Sequence, residues 1–235
     1  MSPVRMLLLA AATTLLMGQA PPPTAPPGAI ITGKVFVVDG RTPVPSDDVW
    51  VYLRVPNARP STRKEWPGLK DPRSPYVITQ EGKRFSRSSL VVPLGATVAF
   101  PNKDLVIHNV FSPNPFFDLG EYSFDRVGKS HQFTAVAEAD IYCDVHKDMS
   151  SKVKTVDTRP EFIAHVAADG SYRFEGVPAG GYEVVAWVPD ARAEDFSTVE
   201  VSGTGAFTPL EIHLQKVQRA ATHLNKTGKD YPYDR

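Results

Sequence analysis

The chain has 235 residues, and its 26 Lys and Arg balance 26 Asp and Glu. A formal net charge of zero provides no field of one sign to draw it toward nucleic acid or an anionic membrane. A single cysteine excludes an internal disulfide.

Residues 1–20 place Arg5 ahead of an apolar run, Met6 to Met17, broken only by Thr13 and Thr14, and end in Gly18-Gln19-Ala20. That charged, apolar, small-residue order is that of a secretory signal peptide and predicts export, to the periplasm or beyond. A buried N-terminal helix is the alternative, but the run has no helical amphipathic period. It is also shorter than the roughly 20 residues a bilayer span needs, and no later segment is long and apolar enough to be one. Pro21 to Gly28 is mostly proline and reads as an extended spacer, residues 21–28. The remaining 200 or so residues have room for one large or two small β domains.

The secondary-structure signals after the spacer are nearly all β. Ile30–Val38, Val49–Val55, Leu90–Val92, Thr97–Phe100, Ile107–Phe111, Ile141–Cys143, Phe162–Ala167, Tyr182–Val188 and Leu210–Leu214 are short and rich in β-branched or aromatic residues. Turn residues punctuate them, among them Asp39-Gly40, Pro101-Asn102, Asp169-Gly170 and Gly180-Gly181. This spacing predicts an all-β sandwich fold and disfavours a helical or parallel α/β one. Helix is weakly indicated only near Gln215–Leu224, and no internal repeat is present.

The lone cysteine sits in Tyr142-Cys143-Asp144-Val145-His146-Lys147-Asp148-Met149, a Cys-x2-His-x2-Met spacing at the end of a strand. A thiolate, an imidazole and a thioether on one tight loop form a soft donor set, which selects copper over calcium or magnesium. A buried cysteine is more often an inert small hydrophobe, but not with histidine and methionine at this spacing. A second histidine is needed from elsewhere, and His108, His131, His165, His213 and His223 are the candidates.

His108 lies in Phe100-Pro101-Asn102-Lys103-Asp104-Leu105-Val106-Ile107-His108-Asn109-Val110-Phe111. Here the chain resembles the cupredoxins, and its ligand loop resembles that of amicyanin. The matching pattern is Gly95-x-Thr97-Val98-x-Phe100, then His108-Asn109-Val110, Phe133, Tyr142-Cys143-x2-His146-x2-Met149, and Val153, over residues 75–157. Phe117 to Tyr122 looks like the exported plastocyanin-like proteins often labelled methylamine utilisation proteins. The resemblance implies a Greek-key β-sandwich in which His108, Cys143, His146 and Met149 hold one copper ion. It also implies that Asn109 hydrogen-bonds the Cys143 loop and ties the two ligand segments together. Zinc could use Cys143, His108 and His146, but Met149 would then have no purpose. Acidic residues, Asp144 and Asp148, flank the loop.

A second resemblance covers Phe162 to Val184, where Asp169-Gly170 and Val177-Pro178-Ala179-Gly180 supply turns between alternating strands. This segment looks like the carboxypeptidase regulatory-like domain, a transthyretin-like sandwich. That domain opens with a Gly-x-Val strand, which here occurs far upstream at Gly33-Lys34-Val35. The expectation is a discontinuous second sandwich, residues 29–55 plus 161–214, with the copper domain inserted between its early strands. The alternative makes residues 29–55 extra strands of the cupredoxin sheet. Residues 56–74 read as a linker. Arg54, Arg59, Arg63, Lys64, Lys70 and Arg73 make the region basic, either as a solvated connector or as a docking patch for an acidic redox partner. Residues 215–235 read as a polar tail. The resemblance implies one-electron transfer through a type 1 copper site, with a protein redox partner. A copper carrier or buffer with the same ligands, and a non-redox binding module, are the rivals. No catalytic dyad or substrate motif suggests an enzyme.

Overall fold

A computed structural model describes residues 28–39, 42–46, 49–58, 76–189, 191, 193–215 and 223–231. Residues 1–20, all of the 21–28 spacer but Gly28, nearly all of the 56–74 linker, and most of the stretch near 215–224 where the sequence weakly indicates helix lie outside these residues. The molecule is all-β, as the sequence predicts; among the described residues the one helical element is a 3-10 turn, Pro160–Phe162.

Two sheets enclose the metal-loop region. One runs β5 (Ser89–Pro93), β11 (Ser150–Val156), β10 (Glu138–Tyr142), β7 (His108–Pro113) and β8 (Phe116–Tyr122); the other runs β4 (Tyr76–Val77), β6 (Thr97–Asn102) and β9 (Asp125–Gln132). Phe100, Val110, Phe117, Ile141 and Val153 fill the space between them. Tyr142 pairs across to Phe111 and, on its other side, to Ser150. That register brings the start of β7 and the end of β10 to the same end of the sheet.

The remaining strands make two further sheets. β1 (Ala29–Asp39) is the hub of one: it pairs with β13 (Ser171–Val177), β2 (Thr42–Pro45), β16 (Gly205–Ala206) and β17 (Leu210–Gln215). The other runs β12 (Ile163–His165), β3 (Trp50–Arg54), β14 (Gly180–Trp187) and β15 (Asp195–Val201). Asp169-Gly170 forms the expected turn into β13. Gly170 has φ +78°, and the Ser171 amide donates to Asp169 Oδ1 at 3.0 Å. Among the described residues, the strand partners of β1 and β3 all lie at 42–45 or after residue 162, and none within 76–156.

The β3–β14 pair is buried on both faces. Val49, Val51 and Leu53 alternate with Trp50 and Tyr52, and Val184, Ala186 and Val188 with Val185 and Trp187. The small aliphatic set packs against the β1 sheet, while the aromatic-rich set joins the core of the metal-loop region. Strand pleating sends successive side chains to opposite faces, so one strand serves two cores. Polar groups complete the junction. Trp50 Nε1 donates to Ser89 Oγ at 3.1 Å, and Trp187 Nε1 to Glu138 Oε1 at 3.0 Å. Lys154 Nζ bridges Glu138 at 2.8 Å and Glu194 at 2.7 Å. Arg54 pairs with Glu183 and Glu194, at 2.6 and 2.9 Å, with its side chain 38% exposed; the other five basic residues of the expected patch lie outside the described residues.

Candidate metal centre

The loop between β10 and β11 is closed by its own backbone. Cys143 N–H donates to Met149 O, and Met149 N–H to His146 O, each at 3.2 Å. Cys143 and Met149 thus face each other across the mouth of the loop, with His146 on the turn between them. His108 enters from the first residue of β7. Its approach loop is pinned by Asn102, whose amide donates to the Val106 and Tyr122 carbonyls, both at 3.1 Å, and whose Oδ1 accepts the Asp104 N–H at 2.8 Å.

Three donor atoms converge. His108 Nδ1 lies 3.1 Å from His146 Nδ1, and the Cys143 sulfur lies 3.9 Å from the first and 3.7 Å from the second. A point equidistant from the three lies about 2.1 Å from each, which matches bonds of about 2.0–2.3 Å from imidazole nitrogen and thiolate sulfur to an ion the size of zinc. The donor set therefore fits a transition metal. His108, Cys143 and Met149 are fully buried and His146 is 5% exposed. Among the described residues this is the one cluster of three or more histidine, cysteine or carboxylate donors.

Burial pushes the Cys143 thiol up, against backbone N–H groups of Asn109, Val145 and His146 that face the sulfur. A bound cation would reverse that balance, since a coordinating thiol is deprotonated. His108 Nε2 donates to Asp104 Oδ2 at 2.8 Å, which leaves Nδ1 free to bind. Burial opposes ionisation of Asp104, but N–H groups of Lys83 and Gly82 and the His108 ring outweigh it and hold the carboxyl below its ordinary range. Asn109 reaches the cysteine by its backbone. Its side-chain amide instead donates to Asp118 Oδ1 at 2.7 Å, and its own Oδ1 is buried without a partner.

The other histidines stand apart from these donors. His131 stacks on Phe117 at 3.9 Å and burial lowers its pKa. His165 packs edge-on against Trp50, and His213 stacks on Phe36. His223 departs from the solvated tail position that sequence suggests: its ring stacks on Tyr142 at 3.9 Å, next to the cysteine. Asp104, Asp118, Lys226 and Tyr231 also support the centre and carry no motif. Asp104 is four residues from His108, but nothing in that spacing says which way the imidazole turns.

No family model matches the chain, and no curated protein does. Among solved structures, it is similar to amicyanin from Paracoccus versutus at 18% identity, covering 45% of this chain and 98% of amicyanin, with a TM-score of 0.31. It is similar to a purple cupredoxin from Nitrosopumilus maritimus at 22% identity over 34% of this chain and 98% of that one, TM-score 0.28. A copper-containing nitrite reductase from Thermus scotoductus matches at 21% identity and TM-score 0.32; the match covers 36% of this chain and 23% of the reductase.

Proposed function

We propose that the chain is an exported copper protein of the cupredoxin type that carries single electrons, in which His108, Cys143, His146 and Met149 would hold the ion. The observation that carries this reading is the buried triangle of two imidazole nitrogens and one sulfur, centred at metal-bond distance, with a buried methionine closing the same loop. Copper bound by these residues would supply a one-electron couple. The protein's part is to keep the donor geometry fixed. Asp104 orients His108, three backbone N–H groups face the Cys143 sulfur, and the Cys143–Met149 backbone bond holds the loop shut. Water is kept out by burial, and of the four residues His146 alone keeps any exposure, 5%, so an electron would enter or leave most directly through it.

Near-complete burial favours an electron carrier over a copper carrier, because handing over an ion requires an open coordination face. An electron carrier also suits the position of a cleft of about 710 Å³, which is lined by Tyr52, Arg54, Lys154, Thr158 and Tyr182 and by none of the four proposed ligands. We further propose that residues 75–157 are a copper domain inserted into a discontinuous sandwich, 29–55 plus 161–214; the strand partners of β1 and β3 support that division. Adding Cu(II) should give an intense blue thiolate-to-copper band at one copper per chain, and Cys143→Ser should abolish it. A colourless protein with full copper occupancy would overturn the electron-transfer reading.

A further inference from the structure

The last described segment, His223 to Tyr231, lies against the outside of the ligand loop. It is folded on itself: Asn225 Oδ1 accepts the N–H groups of Thr227 and Lys229 at 3.0 Å each, and Asn225 N–H donates to Lys229 O at 2.9 Å. Three anchors join this turn to the centre. The Lys226 N–H donates to Asp144 Oδ1 at 2.8 Å, and its ammonium lies 3.2 Å from Asp118 and 3.4 Å from Asp144. The Tyr231 hydroxyl donates to the Cys143 carbonyl at 2.5 Å. His223 fills the gap between Tyr142 and Tyr231, stacked on the first and edge-on to the second.

Each anchor meets a group tied to a donor. Asp144 and the Cys143 carbonyl belong to the loop itself. Asp118 holds the side chain of Asn109, whose backbone N–H faces the Cys143 sulfur. Lys226 also places one positive charge between two carboxylates, Asp118 and Asp144, beside the Cys143 loop. A solvated tail needs none of these contacts.

We propose that residues 223–231 are a strap that positions the ligand loop, holding Cys143–Met149 in its binding shape before metal arrives and slowing metal loss afterwards. Lys226 and Tyr231 are its positioning residues. The statement about metal loss rests on the copper reading above; the statement about loop shape does not.

The test is a double variant, Lys226→Met with Tyr231→Phe, in the full-length chain. In the metal-free protein, amide exchange at Cys143 and Met149 should accelerate about ten-fold or more as the two side-chain anchors are lost, while Val35 and Phe174 in the β1 sheet keep wild-type protection. In the copper-loaded protein, transfer to a competing chelator should accelerate about ten-fold, with the charge-transfer band unmoved because the ligands are intact. Lys226→Arg, with Tyr231 retained, should restore both rates. Unchanged exchange in the loop, or acceleration spread equally to Val35 and Phe174, would overturn the strap. A wild-type chain that takes up no copper would end the copper reading and leave the exchange measurement to decide the strap.

Discussion

Asp104 and Met149 have different parts in the proposed centre, and single substitutions separate them. Asp104→Asn keeps a group of the same shape beside His108 but removes the carboxylate that orients the ring, so copper affinity should fall by about ten-fold or more in a chelator competition. Met149→Leu fills the same buried volume without a thioether. The blue band should remain, and the reduction potential should rise, because the thioether favours Cu(II) relative to no axial ligand. An unchanged potential would remove Met149 from the ligand set. The Cys-x2-His-x2-Met spacing made the loop legible in the sequence because all three residues sit within seven positions of one loop. His108 needed the resemblance, since 35 residues separate it from Cys143. Asp104 was not legible at all: a carboxylate on an exposed loop is ordinary, and its role depends on which nitrogen of a buried ring points outward.

Strands were easiest to read where burial is strong and hardest at the edges. β9 has the sequence Asp-Arg-Val-Gly-Lys-Ser-His-Gln, polar almost throughout, and among the described strands it pairs only with β6. Charged edge strands of this kind resist unwanted pairing, and for the same reason they show no apolar alternation. β3 and β14 were legible as strands but not as a shared layer, because residues that are all apolar do not say which face meets which core. The shared layer makes a clear prediction. Trp187→Ala removes a side chain that is 3% exposed, its bond to Glu138 and the surface under the Lys154 ammonium. It should cost about 3–5 kcal/mol and lower the metal-loop region and the β1 sandwich together, in one calorimetric transition. Two transitions, with only one of them shifted, would show that the cores melt independently.

Over the whole molecule, the junction between the layers carries charge as well as aromatic surface. Burial works against ionised Glu194, but hydrogen bonds from Lys154 and Tyr52 and the Lys154 and Arg54 charges prevail and hold its carboxyl below the ordinary value of 4.5. A depressed carboxylate stabilises the fold fully above that value, and the contribution disappears as the pH falls through the lower folded one. Glu194→Gln should therefore lose less stability than wild type across the acid limb, followed by tryptophan fluorescence, since Trp50 and Trp187 line this junction. Excising residues 75–157 should give a polypeptide that still turns blue with copper but melts lower than the intact chain, because the aromatic face of β3 and β14 no longer covers it. A fragment that folds only when residues 29–55 are restored would assign those strands to the copper domain. The two-faced layer has one more consequence, for how the chain finds its pairing. Trp187 stands opposite Trp50, Val185 opposite Tyr52, and Ala186 opposite Val51. A slip of one residue would turn the indoles toward the space now filled by valine and alanine, and leave the larger space to methyl groups. The misaligned chain would be overpacked on one side and hollow on the other, so side-chain volume selects against the wrong alignment in a strand whose uniform greasiness could not.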